Sequence, residues 1–368
     1  MEALKEKVVA KHGENFLSFF PSVSDEGSSF VLGLGALLTY IGVQWWAAWY
    51  PGAEPGGGGY IAQRMMSTRS ERDAVWATLF FQIAHYCLRP WAWIVVALAA
   101  SVLYPTTGED AKLGYVYAMR DFLPEGLRGL LLAAFFAAYM STISTQINWG
   151  ASLVVNDLYK RFLAPAASES HYVGVARWAT VALSAVGLAA TPFLDSISQA
   201  WGLLMQFGAG LGGVLIARWY WQRVSAESEI AAMLAPIPPT LAALYFDWEF
   251  PAGFLFTVLF TTLVWVGVTF LVKGDDQAAK AFSQRVHGKT PPKTSFYLLA
   301  LLSWLLAVVL AYSILFGIGK LVLLEYSAAG IYLAAAAASA LALQWTMRHS
   351  EQSEQDKEKH TKDVLTAP

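Results

Sequence analysis

The sequence predicts an all-α integral membrane protein with about nine transmembrane helices, and composition, helix-length apolar runs and loop charge point to it independently. Hydrophobic residues make up 56% of the 368 positions and charged residues only 14%, with a mean hydropathy of +0.44, far from the usage of a soluble domain. The apolar residues fall into runs near or above the roughly 20 residues needed to cross a hydrocarbon core. Lys and Arg concentrate in alternate loops between those runs. Fifteen Trp fit the same class, since indole rings favour the membrane interface.

Composition also excludes other classes. A net charge of −2 argues against nucleic acid as a partner. The single cysteine, Cys87, rules out an internal disulfide framework and a CxxC metal site, and the six His include no HExxH. No pattern calls for an organic cofactor. Met1 to Asp25 is mixed-charge and lacks the apolar stretch of a signal peptide.

In chain order, residues 2–20 read as a short amphipathic helix on the bilayer surface, within an external segment 1–29. Phe30–Tyr50 is the first candidate span. It breaks at Pro51-Gly52-Ala53-Glu54-Pro55-Gly56-Gly57-Gly58-Gly59, where no helix continues. The later spans are Ala74–Tyr104, Leu127–Lys160, Val173–Pro192, Ile197–Arg218, Ile230–Phe246, Gly253–Val272, Phe296–Gly317 and Tyr326–Met347, with Ile230–Phe246 the shortest. The polar stretch 348–368 reads as a disordered tail. Basic loops at Arg64/Arg69/Arg72, Lys160/Arg161, Arg218/Arg223 and Lys273–Lys293 alternate with acidic ones at Glu109/Asp110, Asp195 and Asp247/Glu249. The alternation puts the C-terminus in the cytoplasm and Met1 outside. An outside start without a signal peptide leads to the expectation that further helices precede it.

Four stretches carry chemistry. At about 100° per residue, Ala138, Ser141, Thr142, Thr145, Asn148, Ser152 and Asn156 share one sector of the span around Met140, opposite Phe136, Ile143, Ile147 and Val154. Neutral hydroxyl, amide and carbonyl oxygens suit a desolvated alkali cation. Small polar residues also hold membrane helices together, and the stripe alone does not choose between these uses. Gln82, His85 and Arg89, at i, i+3 and i+7, share a face near the middle of the second span, where a charge costs at least about 2.5 kcal/mol and ordinarily faces a cavity or partner. Pairing of Arg89 with Glu54, or snorkelling, stands beside a functional role. The break at Pro51–Gly59, flanked by Gln44, Trp45, Trp46, Trp49 and Tyr50, is either a cavity-lining segment with stacking aromatics or a surface loop. Gly208-Ala209-Gly210-Leu211-Gly212-Gly213 matches GxGxxG, but it neither follows a strand nor opens a βαβ unit, so it reads as close helix packing or local unwinding.

Ala138-Tyr139-Met140-Ser141-Thr142-Ile143-Ser144-Thr145-Gln146 with Asn156-Asp157-Leu158-Tyr159-Lys160-Arg161 resembles the sodium:solute symporter family. So do Tyr60-Ile61-Ala62-Gln63-Arg64 and the stretch from Arg218 to Ile230. The resemblance implies a fold of two inverted five-helix repeats, with sodium and solute bound at mid-membrane beside broken helices. Residues 30–223 would be the second repeat and 224–347 additional C-terminal helices, the first repeat having no counterpart. It implies that the Ala138 carbonyl and the Ser141 and Thr142 hydroxyls contribute to a sodium site. It places Trp45, Trp46, Met205 and Gln206 near a small organic solute, with Gln82, His85, Arg89, Thr145 and Asn148 as intramembrane polar or gating residues. The expected setting is the plasma membrane, with the lipid bilayer, the solute and a missing N-terminal half as partners, and no enzyme activity. A symporter-like sensor domain without transport is the alternative. A membrane enzyme is a third class, for which no nucleophile or metal cluster accompanies His85 and Arg89.

Overall fold

The computed structural model describes residues 1–20, 22–24, 31–48, 58–104, 113–194, 196–272, 277, 281–282, 284–285 and 294–366. It is helical almost throughout. Apart from the helices, a three-residue parallel ladder pairs Ser22–Ser24 with Val31–Gly33. Among the described residues, seven helices are long and apolar enough to cross a membrane: Glu71–Leu103, Glu125–Leu163, Glu169–Phe193, Ala200–Tyr220, Ala252–Leu271, Tyr297–Val322 and Tyr326–His349. Two of the expected spans are not among these seven. The first candidate span is described only as far as Ala48, as α2 (Leu34–Thr39), a π segment (Tyr40–Gln44) and α3 (Trp45–Ala47). Trp49, Tyr50 and the break from Pro51 to Gly57 lie outside the described residues, and α4 (Gly58–Met66) follows. Ile230–Phe246 is divided into α12 (Ala226–Leu234) and α13 (Ile237–Tyr245) at Ala235-Pro236. Pro238 and Pro239 cannot donate to the carbonyls of Leu234 and Ala235, so the α-helical ladder cannot close across this point.

The chain forms two compact units, Met1–Thr106 with Leu204–Pro368, and Thr107–Leu203. In the first, α5 (Glu71–Gln82) starts at an N-cap, Ser70, whose side chain accepts from the Asp73 backbone N–H. It runs through a π segment (Ile83–Leu88) into α6 (Pro90–Leu103). Pro90 explains the π segment: the ring removes one donor, and the Arg89 N–H reaches back five residues to the Ala84 carbonyl at 3.3 Å. α15 (Thr294–Val322) packs along this span and pairs with α16 (Tyr326–Thr366). The Trp91 indole donates to the Leu315 carbonyl at 3.2 Å and the Cys87 thiol to Ala311 at 3.2 Å.

The amphipathic segment is a helix only over α1 (Glu2–His12), followed by a 3-10 turn at Glu14–Leu17, and it docks on protein as well. Lys11 Nζ donates to the carbonyls of Ser101, Val102 and Tyr104 at 2.7–3.3 Å. It thereby satisfies acceptors that the end of α6 leaves unpaired. α16 also departs from the sequence expectation: its backbone stays helical to Thr366, through the stretch read as a tail. From 331 to 366 the sequence holds neither glycine nor proline, so no residue there interrupts a helix already nucleated by its apolar half.

Between α15 and α16, Glu325 accepts from Lys5 at 2.8 Å and Lys320 at 2.5 Å. These ammonium groups hold its carboxyl below the ordinary glutamate range, Lys320 first. A depressed folded-state pKa contributes stability above the unfolded value and loses it as pH falls through the folded value. With the three side chains about a third exposed or less, the contribution is about 1 kcal/mol. Glu325→Gln is therefore expected to lower the melting temperature by about 1–2 °C at pH 7, with the two curves converging as pH falls through the depressed Glu325 value. Equal melting temperatures at pH 7 would show that the ion pairs are neutral to stability.

α10 (Ile197–Gly208) and α11 (Leu211–Tyr220) meet at Gly210, whose φ is +91°. α14 (Ala252–Leu271) backs this junction, and α12 and α13 run antiparallel to α14, as the contacts Ser228–Thr269 (2.8 Å) and Gly253–Ala243 show. Arg223 donates to the carbonyls of Thr269 and Phe270, both at 3.0 Å, closing the C-terminal end of α14.

In the second unit, α7 (Gly114–Phe122) leads to α8 (Glu125–Leu153), which continues as a π segment (Val154–Leu163). α9 (Glu169–Ala190) returns against α8. Tyr172 ties their connection, donating to the Ala164 carbonyl at 2.6 Å and accepting from the Ala167 N–H at 3.1 Å. Ser168 caps α9 through the His171 N–H.

Candidate functional site

The polar seam lies on α8, in the second unit. Regular helix to Leu153 keeps Ala138, Ser141, Thr142, Thr145, Asn148 and Ser152 in one sector. Asn156 falls in the π segment, whose wider turn moves it off that register. Ala138, Ser141 and Thr142 are exposed within the chain. The Thr142 hydroxyl donates to the Ala138 carbonyl at 3.0 Å, which turns its lone pairs outward and sets it beside that oxygen. The Ser141 carbonyl accepts from the Ser144 hydroxyl at 3.3 Å. Three neutral oxygens from adjacent turns thus share one patch with no carboxylate among them. This donor set fits one side of an alkali-cation site. Hydroxyl and carbonyl oxygens replace hydration water at an ion of low charge, and further oxygens from outside the patch would complete the shell.

The other sequence-derived site residues lie in the first unit, where the break between α10 and α11 is the organising feature. Gly212 approaches the α3 backbone so closely that a Cβ there would lie 1.7 Å from the Trp46 carbonyl oxygen, and a Cβ on Gly208 would lie 3.6 Å from that of Ala48. Glycine is required at Gly212 because two backbones touch. A Cβ on Gly210 would meet Thr261 Cβ at 2.7 Å. The glycine run therefore does both things expected of it, unwinding and close packing.

These contacts decide where the solute candidates point. Trp46 turns toward Gly213 and donates from Nε1 to the Gly42 carbonyl at 2.8 Å. Trp45, 49% exposed, stacks on Trp304 with centroids 5.3 Å apart. Met205 Sδ accepts from Gln44 Nε2 at 3.6 Å. Gln206 Nε2 donates to the Thr257 hydroxyl at 3.1 Å, and Thr257 donates onward to the Gly253 carbonyl at 2.9 Å. Of the four candidates, Trp45 presents the freest face, while Trp46, Met205 and Gln206 are engaged with neighbouring helices. Sequence reasoning missed the α14 partners Thr257, Thr261, Trp265 and Thr269, which repeat every fourth residue and form one buried face. That period was the available signal.

Gln82, His85 and Arg89 lie on the α5–α6 span of the same unit. Arg89 Nη2 sits 3.1 Å from His85 Nε2, and the guanidinium lies 4.7 Å from the centre of the Trp93 ring. His85 in turn stacks on Phe81 with centroids 4.9 Å apart. The alternative partner for Arg89, Glu54, lies outside the described residues. Among the described residues, no group of His, Cys, Asp and Glu is arranged to hold a metal ion.

Comparison with known proteins points to one family. A profile of the sodium:solute symporter family matches residues 22–235, more than half of the chain. The sodium/glucose cotransporter of Vibrio parahaemolyticus is 24% identical over 285 residues, 72% of this chain and 52% of that protein. The sodium/proline symporter of Escherichia coli is 32% identical over 186 residues, 48% of this chain and 34% of its own length. An osmoregulated proline transporter of Bacillus subtilis is 29% identical over 159 residues, 39% of this chain and 32% of its own. The chain thus spans about half the length, or less, of these relatives. Proteins of this family are transporters rather than enzymes, with sodium as the coupling ion. This multi-pass membrane chain, with its hydroxyl-lined α8 and its glycine-broken α10–α11, belongs to the sodium:solute symporter family.

Proposed function

We propose that the chain is the C-terminal part of a sodium-coupled symporter for a small organic solute, working by alternating access in the plasma membrane with its C-terminus in the cytoplasm. The observation that carries this reading is the oxygen patch on α8. Ala138, Ser141 and Thr142 offer a carbonyl and two hydroxyls on one accessible face, within the residues that match the family. Sodium bound there stabilises the solute-accepting conformation, and solute affinity rises with sodium by the reciprocal linkage of the two binding events. Trp45 supplies a stacking face for the solute, and the α10–α11 break supplies main-chain groups freed from helical bonding.

Transport itself provides the test. In proteoliposomes holding this chain together with the preceding half proposed to complete the fold, an inward sodium gradient is expected to drive accumulation of labelled L-proline or D-glucose, the solutes named for the relatives, and replacing sodium by potassium is expected to abolish it. Equal uptake in sodium and potassium would contradict the proposal, and uptake of neither solute under a sodium gradient would remove both as candidates.

A further inference from the structure

Arg89 stands near the midpoint of the span Glu71–Leu103, and its environment is specific. Phe81, His85, Arg89 and Trp93 follow one another at four-residue intervals along one face. Phe81 stacks on His85, His85 Nε2 accepts from Arg89 Nη2, and Trp93 lies against the guanidinium. One N–H of the five is thus engaged, by a neutral imidazole nitrogen, and Arg89 makes no ion pair with an acid among the described residues. The aromatic contact uses the guanidinium face and leaves its edge open. Phe81 also lines an apolar cavity of about 150 Å³, walled by Ile61, Met65, Ala77, Thr78 and the stem of Arg64 between α4 and α5. A permanent cation held at this depth, with a donor edge that no described residue occupies and an apolar cavity along the same face, is costly unless an anion completes it.

We propose that Arg89 is the residue that recognises charge in the transported solute, and that the solute carries a carboxylate. The two oxygens would accept in parallel from the open edge of the guanidinium, a geometry that a planar fork offers and an ammonium does not. His85 acts as a positioning residue, fixing the guanidinium through one nitrogen, and the cavity beside Phe81 takes apolar parts of the solute. The inference rests on the symporter reading and narrows the solute class within it.

The experiment uses the whole chain in lipid nanodiscs and reads thermal stabilisation with and without sodium. The probes are L-proline, L-lactate and benzoate, with D-glucose and benzamide as uncharged counterparts. A sodium-dependent shift with at least one carboxylate and with neither uncharged probe is expected. Arg89→Gln should weaken the apparent affinity of that carboxylate at least 30-fold, and Arg89→Lys about 5-fold or more. The shift produced by sodium alone should survive both substitutions, which also reports that the variants are folded. Stabilisation by an uncharged probe, by no carboxylate, or by a carboxylate whose affinity Arg89→Gln leaves unchanged would overturn the proposal. In the last case the guanidinium pairs with a protein acid instead. Those results leave the symporter reading standing as long as the sodium shift persists, whereas loss of the sodium shift in the unsubstituted chain would overturn that reading itself.

Discussion

Gly212→Val is expected to prevent assembly of the first unit. The Cβ would sit 1.7 Å from the Trp46 carbonyl oxygen and 2.9 Å from its carbon, both inside the 3.0 Å below which real Cβ contacts essentially never fall. The obstacle is backbone on both sides, α11 against α3, so no rotamer relieves it. Overpacking ordinarily costs about 1–3 kcal/mol where side chains can yield. Here a helix must move, and the cost should exceed that range. The junction also holds Ala47, Ala48, Ala209 and Phe254 in one buried cluster, which separates if α3 retreats. Size-exclusion profiles of detergent-extracted protein should show aggregate for Gly212→Val and a monodisperse peak for Gly267→Ala, a helical glycine whose added Cβ meets nothing within 4 Å. A monodisperse Gly212→Val protein with unchanged melting temperature would contradict the close approach of the two helices.

The second large effect concerns the α8 patch. Ser141→Ala with Thr142→Ala removes two of the three oxygens and leaves the Ala138 carbonyl, which already accepts within its own helix. Each lost ligand leaves a cation partly desolvated with no replacement, and the half-saturating sodium concentration is expected to rise at least 30-fold. The fold should tolerate the change, since both side chains are exposed and, among the described residues, neither bonds to another helix. Thr145→Ala serves as the comparison: it sits one turn further on the same face, and its effect should be under 5-fold. Sodium titration followed by tryptophan fluorescence reads both variants against the unsubstituted chain. A double variant with unchanged sodium dependence would remove the cation from this patch.

Much of this architecture is legible in the sequence because a membrane solvent punishes every unpaired backbone group, so apolar length translates directly into helices. The spans from Ala74 to Arg218 fall close to their expected limits for that reason. The glycine run at Gly208–Gly213 is legible as unwinding or close packing, but which glycine does which depends on α3 and α14, elements distant in sequence. The departures likewise come from pairings that periodicity does not carry. Pro238 and Pro239 divide a stretch whose hydropathy reads as continuous. Lys11 reaches the end of α6, drawing α1 onto protein where its own composition suggests only a lipid surface. At the site, the helical period finds the α8 face directly, since its residues lie on one element. The engagement of Gln206 with Thr257, and of Trp46 with the α11 glycines, joins separate helices and is invisible to spacing within either one.

The proposed symport rests on a sodium ion held at α8 and coupled to solute. The most direct measurement is binding of labelled sodium to the purified, reconstituted chain, competed by potassium and choline and repeated with the Ser141→Ala, Thr142→Ala double variant. Saturable binding is expected that a tenfold excess of potassium leaves largely intact and that the double variant loses. Saturable binding unchanged in the double variant, or displaced equally by potassium, would contradict the proposal.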